Sequence, residues 1–165
     1  MDIHTTCAIA YASALALSGL GSALGTGIAG MASIGAGKRC FMENKPFPFV
    51  VVAFVGAPLT QTIYGFLLMN TILSMSDAHM KANSPDSAYI YLLTGGVLGG
   101  LVIGLAAVMQ GRAGAAASDA LAETNQGFVN FMMILGVIES VALFVMIFII
   151  VTLNKLGPVA ASGPN

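Results

Sequence analysis

Three stretches of this 165-residue chain contain no Asp, Glu, Lys or Arg: residues 3–37, 46–76 and 87–111. A fourth, residues 124–154, contains a single one, Glu139. Each exceeds the ~20 apolar residues that cross ~30 Å of hydrocarbon at 1.5 Å per residue. Backbone groups in lipid must be satisfied within their own segment, so such stretches are helices. The sequence therefore predicts an all-α membrane protein with four transmembrane helices, over about Ala8–Gly37, Phe49–Met75, Tyr89–Ala113 and Phe128–Asn154. Charged residues make up only 8% of the chain, against about 25% in a soluble domain. That composition excludes a soluble enzyme, a nucleic-acid binder and a disordered tail. The net charge of −1 leaves no polybasic field to recruit phosphate or anionic lipid.

The connections carry turn punctuation: Glu43-Asn44-Lys45-Pro46, Asn83-Ser84-Pro85-Asp86 and Asn125-Gln126-Gly127. The start, Met1-Asp2-Ile3-His4, has no basic n-region and does not read as a cleaved signal peptide. Lys38, Arg39, Lys45 and Arg112 fall on one side of the membrane, against Lys81 and Lys155 on the other. The positive-inside rule then puts the first and third loops in the cytoplasm and both termini outside. Cys7 and Cys40 flank the first span and cannot meet across it, and no CxxC or Cys/His spacing suggests a metal. His4 and His79 fall in external segments, again without a metal-binding spacing.

The chain also reads as a repeat of two helical hairpins, residues 1–76 and 77–165, forming one membrane domain. Spans one and three are rich in glycine, while Phe is confined to spans two and four and the loops leading into them. Setting Gly27-Ile28-Ala29-Gly30 against Gly104-Leu105-Ala106-Ala107 puts Ser33 opposite Gln110 and Gly37 opposite Gly114. One further residue in the second loop puts Gln61 opposite Glu139. Small residues recur every fourth position at Gly21, Gly25, Ala29, Ser33 and Gly37, and again at Gly96, Gly100 and Gly104. Such stripes let helix backbones approach closely. Two of them, at related places in a repeat, point to a tightly curved inner wall. The run from Gly25 to Gly30 matches the dinucleotide pattern GxGxxG, but it lies inside a hydrophobic helix with no preceding strand, so that reading fails.

Glu139 is the residue that most directly points to function. A charge at mid-bilayer costs at least ~2.5–3.5 kcal/mol on insertion scales, so such groups are rare and usually functional. Nothing in its own span offers a cationic partner. The carboxyl must bind a proton or a cation that cancels its charge. Ala57, Thr60, Gln61 and Tyr64 share one face of the second span, at helical spacing, and Gln110 lies near the end of the third. If these converge on Glu139, they offer carbonyl, hydroxyl, amide and carboxylate oxygens, a hard set suited to Na⁺. One carboxylate balances a monovalent ion, whereas Ca²⁺ or Mg²⁺ would leave buried excess charge.

The duplicated glycine-rich hairpins, the Pro58-to-Phe66 stretch Pro-Leu-Thr-Gln-Thr-Ile-Tyr-Gly-Phe, and the Gly136-to-Ser140 stretch Gly-Val-Ile-Glu-Ser resemble the duplicated proteolipid rotor-ring protein, the K-type subunit, of prokaryotic V-type, or V/A-type, ATPases. The resemblance covers nearly the whole chain. It implies a membrane ring of identical four-helix subunits, with spans one and three on the inner wall and two and four outside. The ring would turn against a stator subunit bearing an essential arginine. By the same resemblance Glu139 is the ion-carrying carboxylate. Thr60, Gln61 and Gln110 match side-chain ligands of the sodium-pumping branch, Ala57 a backbone-carbonyl ligand, and Tyr64 a hydrogen-bond partner of the carboxylate. The chain departs from the pattern at Ser33 and at Ala57, without loss of a ligand atom. Pro58 frees the carbonyl of Phe54 rather than that of Ala57, so the sequence offers no account of how the Ala57 carbonyl becomes available.

The implied work is non-catalytic: a subunit of the prokaryotic plasma membrane that carries Na⁺, or alternatively H⁺, past the stator as ATP is hydrolysed on other subunits, without an organic cofactor. Lys38, Arg39, Glu43, Lys45, Arg112, Asp119 and Glu123 would face the central-stalk rotor subunit. One ion for four helices favours pumping over ATP synthesis. The competing readings are a small proton-coupled four-helix transporter, for which cavity-lining aromatics would be required, and a purely structural tetraspan.

Overall fold

The computed structural model describes residues 2–157. Met1 and residues 158–165, the outer ends of the two sequence repeats, lie outside the described residues. Four helices follow one another up and down: α1 (Ile3–Met42), α2 (Phe49–Lys81), α3 (Asp86–Thr124) and α4 (Phe128–Lys155). All four are long and apolar enough to cross a membrane, and the described residues contain no strand.

The helices outlast the spans expected from the sequence. α1 continues past Gly37 to Met42, and α3 past Ala113 to Thr124. Charge marks where hydrocarbon ends, but intrahelical hydrogen bonds persist in water, and the alanine-rich run after Arg112 has the highest helix propensity available. Lys38, Arg39, Arg112, Asp119 and Glu123 therefore stand on helices, not in loops. There Arg39 of α1 forks onto two carboxylates one turn apart on α3, Asp119 and Glu123 (2.8 Å to the latter).

Each loop is cut by a residue that tolerates left-handed backbone. Asn44, Asn83 and Asn125 have φ of 55°, 49° and 53°. At Asn44 the amide bonds to Phe41 O and that of Lys45 to Cys40 O (2.8 Å); at Asn83 the amide bonds to Met80 O and that of Ser84 to His79 O (3.0 Å). Both are Schellman closures, which satisfy the last carbonyls of a helix. The second closure buries His79, whose Nδ1 lies 2.9 Å from Ser84 Oγ and whose ring meets Tyr89 edge-on. His79 is thus a packed component of the α2–α3 corner instead of an exposed side chain in an external segment.

α1 and α3 run parallel and pack through their small-residue stripes. A methyl added at Gly21 would land on the backbone of Gly104, one at Gly96 on Ala10, and one at Gly100 on Ser13 and Ala14. The stripes lie against each other within one chain. Their register differs from the alignment read from sequence: the Ser33 hydroxyl donates to Ser118 (2.9 Å), not to a residue level with Gln110. Gln110 instead stands beside the level of Gly25, since Gly111 abuts Gly25. α1 overruns α3 at that end, and the loop after it is longer, so the offset between inner helices differs from that between outer ones.

α2 and α4 close the outside. Leu68, Ile72, Leu92 and Ile103 form the centre of one core cluster, and Val51, Phe54, Leu121 and Leu135 the centre of a second, with Phe128 and Phe131 packed around Phe54. The free cysteines Cys7 and Cys40 are both buried, 33 residues apart on α1, which at 1.5 Å per residue is about 50 Å.

Candidate functional site

Pro58 determines the local shape of α2. Without an N–H it cannot bond to Phe54 O, and the chain passes through a 3₁₀ turn at Ala57–Leu59, between α-helical Val52–Gly56 and Thr60–Lys81. The freed Phe54 carbonyl is aimed at α3, where a Cβ on Gly114 would sit 2.8 Å from it; only glycine admits that approach. The tighter turn changes the partner of the Ala57 carbonyl as well. It takes the backbone N–H of Thr60, and the Thr60 hydroxyl lies 3.0 Å from the same oxygen. This is the explanation that sequence could not supply: the 3₁₀ turn reorients the Ala57 carbonyl toward the Thr60 side chain.

From there a continuous polar chain crosses three helices. Thr60 Oγ1 lies 3.2 Å from Gln61 Oε1. Gln61 Nε2 donates to Gln110 Oε1 on α3 (2.7 Å). Gln110 Nε2 donates to Leu135 O (3.2 Å) and to Glu139 Oε2 (3.4 Å) on α4. The Tyr64 hydroxyl donates to Glu139 Oε1 at 2.7 Å, closing the chain back onto α2. All six sequence-nominated residues, Ala57, Thr60, Gln61, Tyr64, Gln110 and Glu139, are thereby brought together. Gln61 and Gln110 are 0% exposed, whereas Glu139 is half-buried at the outer edge.

Both oxygens of Glu139 face donors, the arrangement a carboxylate seeks. The two amides are the adaptable members. A half-turn of the Gln110 amide exchanges its NH₂ for an oxygen at nearly the same position, since the two ends have the same shape. In that orientation Gln110 Oε1, Gln61 Oε1, Thr60 Oγ1, the Ala57 carbonyl and a Glu139 oxygen form a set of hard oxygen donors around one small volume, consistent with an alkali cation. Sequence reasoning did not find the Leu135 carbonyl, one turn before Glu139. A backbone acceptor leaves no trace in residue identity.

Comparison with known proteins fits this geometry. Residues 93–152, which include Gln110 and Glu139, match the family model for the ATP synthase C-type proteolipid. The chain is also 35% identical over 131 residues to the A-type ATP synthase subunit K of Methanocaldococcus jannaschii, covering 79% of this chain. The chain belongs to the proteolipid family of V/A-type rotary ATPases. It spans 54% of the length of that archaeal relative. Family membership and four apolar helices make it an integral membrane protein.

Proposed function

We propose that the chain is the ion-carrying rotor-ring subunit of a V/A-type rotary ATPase, with Glu139 as the carrier group and Na⁺ as its cargo. The observation that carries this reading is the hydrogen-bonded chain from Ala57 to Glu139, which leads from a 3₁₀-turn carbonyl to a half-exposed carboxylate in a helix of otherwise apolar residues. Ala57, Thr60, Gln61 and Gln110 supply the neutral oxygens, and Tyr64 holds the carboxylate. Copies of this chain would close into a ring, covering exposed apolar side chains such as Leu20, Leu24, Leu101 and Leu105 with a neighbour or with lipid. The subunit itself is non-catalytic.

Transport follows from the cost of charge. Facing lipid, Glu139 is carried only with its charge cancelled. Beside a stator arginine and an aqueous half-channel, the ionised form is tolerated and the cation leaves. The ring turns only in a loaded state, so rotation and transport are coupled. In this reading both termini lie outside the plasma membrane, and the charged helix ends around Lys38, Arg39, Arg112, Asp119 and Glu123, with the loop residues Glu43 and Lys45, meet the central stalk. A proton at Glu139 is the alternative cargo. It requires one of the two donors facing the carboxyl to turn away, because a protonated oxygen needs an acceptor.

The test uses the purified oligomer. Dicyclohexylcarbodiimide should modify Glu139, and Na⁺ at fixed pH should protect it. The Glu139→Gln variant should assemble yet neither react nor support transport. A Glu139→Gln complex that transports at the wild-type rate would overturn the proposal, and modification without Na⁺ protection would leave H⁺ as the cargo.

A further inference from the structure

Hydroxyls on these helices generally return their hydrogen to a carbonyl three or four residues back, as Ser18, Thr71, Thr94 and Thr152 do. Ser22 and Thr26 do not. Among the described residues their hydroxyl oxygens are the two buried side-chain polar atoms without a hydrogen-bond partner, and Ser22 is only 2% exposed. They stand one turn apart on α1. The antiparallel register of α1 against α2 sets Ser18 on Gly65 and Gly25 on Pro58. Stepping four residues along each helix from the first pair brings Ser22 level with Gln61, and the next step brings Thr26 level with Ala57. The unpartnered hydroxyls thus back two members of the polar chain from the side opposite Glu139.

Gln61 has unused capacity of its own. An amide carries two N–H groups, and among the described residues Gln61 places one, on Gln110 Oε1. Two buried hydroxyls and a spare N–H, gathered at one level of the bundle, are a costly set to leave unpaired. They are also the two to four polar neighbours a buried water requires.

We propose that Ser22 and Thr26 hold one buried water on the α1 side of the polar chain, and that this water accepts the second N–H of Gln61. The water gives its hydrogens to the two hydroxyl oxygens. The Gln61 amide is thereby fixed with Oε1 turned toward Thr60, the orientation that offers oxygen to a cation. Ser22 and Thr26 are positioning residues that act through Gln61; this consequence for cation binding rests on the function proposed above.

The experiment compares assembled wild-type, Ser22→Ala, Thr26→Val and Thr26→Ser oligomers. The Na⁺ concentration that half-protects Glu139 from dicyclohexylcarbodiimide should rise about fivefold in Ser22→Ala and Thr26→Val, the net worth of one hydrogen bond. It should stay at the wild-type value in Thr26→Ser, which keeps the hydroxyl. A high-resolution map of the wild-type oligomer should show a density peak within hydrogen-bond distance of Ser22 Oγ, Thr26 Oγ1 and Gln61 Nε2. Unchanged half-protection in both deletion variants refutes the positioning role. A map with both hydroxyls bonded to their own helix and no peak between α1 and Gln61 refutes the water. If wild type shows no Na⁺ protection at all, the cargo reading fails by itself, and the map alone decides whether the water is there.

Discussion

A single methyl group separates two nearby glycines of α1. A Cβ built on Gly21 would fall among the backbone atoms of Gly104, whereas one on Gly19 meets nothing within 4 Å. Gly→Ala at either position gains about 1 kcal/mol of helix propensity. At Gly21 that gain is opposed by overpacking, which costs about 1–3 kcal/mol. The upper part of that range applies, because the obstacle is backbone: no rotamer change on Gly104 relieves it, and α1 and α3 must separate. The close approaches at Gly96, Gly100 and Gly111 then loosen together. Gly21→Ala should therefore be about 2 kcal/mol less stable than Gly19→Ala, a difference of about 4–8 °C in melting midpoint for a chain of this size. The protein carries its own probes. Cys7 and Cys40 are 3% and 2% exposed, and Cys40 Sγ lies 3.6 Å from Ala122 O on α3, so separation of the two helices uncovers it. Reaction with a fluorogenic maleimide during a thermal ramp reads that event directly. A Gly21→Ala midpoint at or above that of Gly19→Ala would show that the stripe is not in close contact, and the reasoning would fail.

Gln110→Ala removes the central link of the polar chain and strands the buried Gln61 amide; losing about 1–3 kcal/mol there should weaken Na⁺ protection of Glu139 by about 5- to 150-fold, and an unchanged midpoint would remove Gln110 from the ligand set. Arg39→Ala should move the maleimide-reaction midpoint less than Gly21→Ala does, and the shift should vanish in high salt, because the fork to Asp119 and Glu123 is solvent-exposed. Asn125→Val should cost about 1–2 kcal/mol at its left-handed φ of 53°, while Asn125→Gly stays near wild type in the same thermal assay.

The features legible from sequence were those set by solvation. Charge-free length located four helices, because a span cannot hold unpaired charge, and the Asn-bearing loops marked the corners where left-handed backbone ends a helix. Glu139 stood out for the same reason. The helix ends were not legible: Met42 and Thr124 lie beyond the hydrocarbon limit, where propensity and hydrogen bonding take over from hydropathy. The register between α1 and α3 was missed because glycine stripes repeat every four residues and align almost equally well at several offsets. Only the contact of Ser33 with Ser118 fixes the offset. His79 looked like a surface residue because nothing in its neighbourhood reveals that Ser84 and Tyr89 fold over it. The 3₁₀ turn at Ala57 was hidden for another reason. Pro58 announces which hydrogen bond is lost but not how the next turn tightens.

Gln61 and Glu139 occupy related positions of the two hairpins, and their surroundings explain why only one bears a charge. Gln61 is fully enclosed, whereas Glu139 sits half-buried on the outermost helix. A carboxylate at Gln61 would have to be desolvated completely and would share the Gln110 amide with a second acid, and like charges at such a distance resist joint ionisation. Under the proposed function each four-helix subunit therefore carries one ion, so fewer ions cross per ATP than in a ring with a carboxylate in every hairpin. Moving one charge against 100 mV costs about 2.3 kcal/mol, and a low ion-to-ATP ratio puts more free energy behind each ion. Such a ring should sustain pumping against a steep gradient better than it sustains synthesis. Vesicles reconstituted with the whole complex measure both directions, and synthesis outpacing hydrolysis-driven uptake would contradict the argument from Gln61.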